Sequence, residues 1–129
     1  MKQHITPEQL MELTPEQQEK LREWWQPDRG DHIYLNIKNE HMMGVIPNCN
    51  GMISDIKKAG HKEHHLPLLS IGQMIGLIFD KTGDISVDSH KNGCSVVSSE
   101  GIPAGCCGVK TFTNHEIIDA LWEAVKEVL

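Results

Sequence analysis

The residues with the most chemical capacity in this chain crowd between positions 57 and 65. Lys57, Lys58, His61, Lys62, His64 and His65 place three lysines and three histidines in that short span, opposed only by Glu63. Imidazole and ammonium groups at that density suit three tasks: metal ligation, proton transfer, or capture of an anion. Four cysteines, Cys49, Cys94, Cys106 and Cys107, are the other reactive groups. Ser70, just downstream, sits where a helix should start. Trp24, Trp25 and Tyr34 offer the flat surfaces on which a base could stack.

Each chemistry makes demands on spacing. A zinc site could draw on His61, His64 and His65 with Cys49 or Cys94, but C-x-x-C and H-E-x-x-H are both absent. A thiol enzyme needs a base beside a cysteine of lowered pKa. The glycines around Cys106 and Cys107 point instead to a tight strand next to a turn. Those adjacent cysteines do not suit a disulfide with each other, and four free thiols are the simpler reading. G-x-S-x-G and G-x-x-x-x-G-K-[ST] are missing, and Asp80, Asp84 and Asp88 share no face.

Anion capture fits better. A helix starting at Ser70 presents free backbone N–H groups and a partial positive charge directly after the basic cluster. The competing reading is that Ser70 and Gln73 form a capping box and satisfy that helix end themselves. On the binding reading the ligand contacts are Lys57, Lys58, His61, Lys62, His64, His65 and Ser70, with Trp24 and Tyr34 for stacking. No catalytic residue, metal ligand or cofactor is assigned.

Composition narrows the partners. The formal charge of −6 over 129 residues argues against general nucleic-acid binding, which needs phosphate-neutralising Lys and Arg. Residues 8 to 31 carry seven acids against three bases, so the Lys57–His65 stretch is a small basic island on an acidic protein. No apolar run is long enough to span a bilayer, and MKQHITPEQL lacks the pattern of a signal peptide. A cytoplasmic location and no membrane partner are expected.

The elements that must position these groups follow from periodicity. TPEQ occurs twice; each Thr can cap a helix with Pro in its first turn and Gln as reciprocal partner. The second copy should launch a helix from Pro15 to about Trp25, stopped by Gln26-Pro27. HIYLNIK and HMMGVIP read as strands, and residues 48–65 as a long loop. Leu66 to Lys81 shifts to helical period, with Gly83 as terminator and Gly72 and Gly76 allowing close approach to a neighbour. DISVDS, GCSVVSS and GCCGVKTF are short strands. Thr113 and Glu116 should cap a C-terminal helix through IIDALWEAVKEVL. The expected architecture is one α+β domain over 1–129, an antiparallel sheet of four or five strands with helices packed on one face.

Three blocks, LTPEQQEKLREWWQPDRGD, LPLLSIGQMIGLI and IIDALWEAVKEVL, together resemble small proteins of phages and prophages of Firmicutes. They cover about a third of the 129 residues and are scaffold helices without chemistry. The resemblance implies a viral or mobile-element origin and action in a bacterial host cytoplasm. It also suggests a counter-defence role: binding and withholding a cyclic nucleotide or ADP-ribose-derived immune signal, often as a homo-oligomer. Two other functions compete. One is an inhibitor or adaptor that binds a host or phage protein through the acidic N-terminal helices. The other is a small metal- or thiol-dependent enzyme using His61, His64, His65 and the cysteines.

Overall fold

The computed structural model describes residues 2–37, 40–47, 64–91, 93–98 and 110–129. Lys57, Lys58, His61 and Lys62, together with Cys49, Cys106 and Cys107, lie outside the described residues. The chain divides into two compact units, Thr6–Leu69 and Met1–Ile5 with Ser70–Leu129.

The first unit begins with two capped helices, α1 (Pro7–Leu10) and α2 (Pro15–Trp24). Both TPEQ copies form the reciprocal box. Thr6 Oγ1 accepts from Gln9 N–H at 3.3 Å, and Thr14 Oγ1 from Gln17 N–H at 3.2 Å. Each Gln side chain accepts in return from its Thr N–H. Two of the donors a helix start orphans are thus satisfied locally. The chain leaves α2 at Trp25, in extended conformation, and its indole N–H donates to Asp31 Oδ2 at 2.9 Å. The same carboxylate oxygen accepts from Asp28 N–H, which fixes the turn into the sheet.

That sheet has the order β2-β1-β3, all antiparallel, with β1 spanning His32–Ile37, β2 Glu40–Val45 and β3 His65–Pro67. Trp25, Ile33 and Ile46 form a fully buried cluster, with Trp24 and Leu35 packed against it. Full burial of such a side chain contributes about 1.5–3 kcal/mol.

In the second unit Ser70 caps α3 (Ile71–Thr82), which ends on Gly83 at φ 82°, a left-handed turn suited to glycine. The sheet order is β4-β5-β6, with β4 Ser86–His90, β5 Gly93–Ser98 and β6 Lys110–Asn114. Helix α4 (Ile117–Val128) packs against α3, β5 and β6, and seven of its residues are buried. Lys2 Nζ reaches Asp119 on α4 at 3.3 Å and ties the N-terminal residues to this unit.

The class is α+β, but one sheet of four or five strands is incorrect. Among the described residues six strands form two three-stranded antiparallel sheets. The HLP segment is a strand paired with β1 and not the start of a helix, because Leu66 and His65 complete β1's second ladder. The expected Thr113–Glu116 box does not form. Thr113 belongs to β6, and Glu116 is the N-cap of α4 without a side-chain cap bond. Gly72 and Gly76 do not mark a close helix contact either, since a Cβ at either would meet nothing within 4 Å. No helix among the described residues is long and apolar enough to cross a membrane.

Gly93 is different. Its φ is 145°, and a Cβ there would collide with the carbonyl of Asn114 across the ladder. Gly93→Ala should therefore cost about 2 kcal/mol or more in urea unfolding. Gly76→Ala, in open space within α3, should stabilise by about 0.5–1 kcal/mol. A neutral Gly93→Ala would contradict the packing described.

Candidate functional site

The sequence-expected ligand contacts that are described are divided between the two units: Trp24, Tyr34, His64 and His65 in the first, Ser70 in the second. His64 is exposed just before β3, whereas His65, opposite Leu35 on β1, is buried. Tyr34 is 6% exposed, so little of its ring is open to a base. The ring stacks on His41 with centroids 5.6 Å apart and planes 17° from parallel, and its hydroxyl hydrogen-bonds His41 Nδ1. Trp24 lies half-buried against the Trp25 cluster. Ser70 belongs to the other unit. Its hydroxyl accepts from Gln73 N–H at 3.2 Å, while Gln73 Oε1 accepts from Ser70 N–H at 2.9 Å. The capping box is therefore formed, and it satisfies the Ser70 and Gln73 N–H groups of that helix start.

A different group of residues does converge. In the second unit a cavity of about 400 Å³ opens at the sheet end where β4 turns into β5 and β6 runs into α4. His90, Gly93, Cys94, Thr113, Asn114 and His115 line it. An adjoining concavity of about 540 Å³ shares four of these and adds Lys91, Glu116, Ile71 and Ile117 among others. Three exposed bases, His90, Lys91 and His115, therefore stand around one opening.

Local structure explains the arrangement. His90 and Gly93 close the β4–β5 hairpin as its last pair, and Gly93 lets Asn114 approach. The register Cys94↔Asn114 then brings His115, the next residue, to the hairpin end. His90 Nε2 lies 2.9 Å from Ser95 Oγ, a diagonal contact across the ladder that orients the ring. Helix α4 starts at this opening with no side chain closing its first turn, and Glu116 has one carboxylate oxygen, Oε2, buried without a partner.

Neither Cys94 nor Ser95 in this region is arranged as an activated nucleophile among the described residues. The Cys94 thiol is buried and donates weakly to Asn114 O at 3.5 Å. Burial pushes its pKa up, and the negative charge of Asp119 adds to the rise. It stays protonated at neutral pH, the opposite of an activated nucleophile. The His90–Ser95 distance matches a nucleophile–base pair, but Ser95 is 7% exposed. No carboxylate bonds the other ring nitrogen of His90 among the described residues. Among the described residues no group of three His, Cys, Asp or Glu is placed to hold a metal ion.

His90, Lys91 and His115 were not singled out from sequence. Their signal, bases at the end of β4 and just after β6, acquires meaning only through a strand register that pairs residues 20 apart. Comparison with known protein families, curated proteins and solved structures gives no match to this chain.

The raised thiol pKa has a measurable consequence. In alkylation of the native chain followed residue by residue by mass spectrometry, Cys94 should react at least tenfold more slowly at neutral pH than an unhindered cysteine. Its rate should climb only above the ordinary thiol range. Rapid labelling of Cys94 at neutral pH would refute the assignment.

Proposed function

We propose that this chain captures a small phosphorylated molecule without converting it, in the cavity bounded by His90, Lys91 and His115. The observation that carries the reading is three basic side chains around one opening in a chain of formal charge −6. The N–H groups of the α4 start, which no side chain caps, add donors on the same side. Glu116 opposes an anion. Ile71 and Ile117 offer an apolar rest for the ligand body. No aromatic side chain is among the described lining residues, so a base would lie on aliphatic carbon.

Cyclic nucleotides and ADP-ribose-derived immune signals carry both phosphate and hydroxyl groups. Withholding such a signal in a bacterial host cytoplasm is the role that fits the cavity, its buried and protonated Cys94 thiol and the phage resemblance together.

Calorimetry with cyclic dinucleotides, cyclic ADP-ribose and inorganic phosphate tests this, with mass spectrometry of the ligand afterwards. The expected result is stoichiometric binding of a recovered, unchanged nucleotide that weakens as salt is raised. His90→Ala, Lys91→Ala and His115→Ala should each weaken it about tenfold, the scale of one charged hydrogen bond. No heat with any nucleotide, or a chemically altered ligand, would end the proposal.

A further inference from the structure

Independently of any ligand, β2 is an edge strand of the first sheet with no second strand partner among the described residues. Three of its large side chains, Met42, Met43 and Val45, are 57%, 67% and 51% exposed, and all three lie on β2. They occupy both faces of the strand, because neighbours along a strand alternate. The opposite edge is handled differently. All three residues of β3 are buried, and α2 packs against that strand.

Hydrogen-bond parity sharpens the contrast. Leu68 N–H donates to His32 O at 2.8 Å, so the bonded pairs between β1 and β3 are His32 with Leu68 and Tyr34 with Leu66. Pro67, opposite Ile33, falls in the alternate position, and its missing donor faces away from β1. Proline there blunts the edge against further pairing. On the other side Ile46 N–H donates to Asp31 O at 2.9 Å, continuing the register His32↔Val45. Gly44, Met42 and Glu40 therefore turn their backbone groups toward β1. His41, Met43 and Val45 turn theirs outward, with no proline, lysine or arginine among the six residues of β2.

We propose that β2 is the docking edge for a second copy of this chain, paired antiparallel about a two-fold axis at Met43. Only residues with outward backbone groups can form bonded pairs there, so Met43 meets Met43 of the second copy and His41 meets Val45. Met42 then faces Gly44, whose missing side chain leaves it room. The two Glu40 carboxylates stand at opposite ends, each beside Ile46. Parallel pairing would set Glu40 against Glu40, which like-charge repulsion disfavours. The product is one continuous six-stranded sheet with the methionines covered on both faces.

Sedimentation of the full chain over a concentration series tests this. The expected result is a reversible dimer at twice the 14.5 kDa chain mass. Met43→Pro removes only an outward N–H, as Pro67 does on β3, and Met43→Lys adds charge at the axis. Both should give a monomer with an unchanged circular dichroism spectrum. A wild-type chain that stays monomeric up to millimolar concentration overturns the proposal. So does a dimer that both folded variants retain. Should the variants unfold, hydrogen exchange of the wild type decides: the amides of His41, Met43 and Val45 must slow as concentration rises, and unchanged rates overturn it.

Discussion

The first unit depends on the alternation of backbone donors and acceptors along β1. A central strand must pair its polar groups on both sides, because an unpaired buried N–H or C=O costs as much as a lost hydrogen bond. Residues His32 and Tyr34 turn these groups toward β3, and Ile33 and Leu35 toward β2. That single parity fixes where Pro67 is tolerated and where β2 stays open. It also puts Ile33 on the face that packs with Trp25 and Ile46. Shifting the register by one residue would expose Ile33 and bring His32 inward. The indole–Asp31 bond then holds the entry to β1 in place, so helix end, turn and strand share one constraint.

The helix starts divide in a way that bears on function. Thr6, Thr14 and Ser70 all exchange hydrogen bonds with a glutamine three residues on, so these starts leave fewer donors for an outside group. Helix α4 has no such box, although its sequence offers Thr113 and Glu116 at the required spacing. The strand won: Thr113 pairs with Ser95 in the β5–β6 ladder, which removes it from the cap position. One consequence is a helix start without a side-chain cap bond, directly after His115. A local motif was overridden by a long-range ladder, and the override falls at the cavity.

Much of the secondary structure was legible because it follows from nearest neighbours. The capping boxes at Thr6, Thr14 and Ser70, the stop at Gly83 and the alternation in HIYLNI are local signals, and all appear as expected. The division into two sheets was not legible. Whether β3 extends the strands before it or those after it depends on pairing Leu66 with Tyr34, which no window around Leu66 reveals. The same holds for the cavity. His90 and His115 are ordinary surface residues in sequence, and only the Cys94↔Asn114 register joins them. The dense basic cluster drew attention because its residues are adjacent in sequence. Its described members, His64 and His65, show how weak that cue is, since one is exposed and the next is buried in a sheet.

Charge placement then decides which use of the cavity is physically reasonable. Catalysis by Cys94 would need a stabilised thiolate, yet burial and Asp119 both work against the negative charge. Catalysis by Ser95 would need His90 to be oriented from its far nitrogen, and the described residues provide no such acceptor. Binding asks less. It needs donors held at an opening and apolar carbon for the ligand body. On the proposed reading His90, Lys91 and His115 would be the donors, and Ile71 and Ile117 the apolar carbon. Because the bases are exposed, their attraction is screened by salt and falls off within about 10 Å, so affinity must come mainly from direct contacts inside the cavity. Gly93 shapes this cavity: by admitting Asn114 close to β5, it lets His90 and His115 line the same opening.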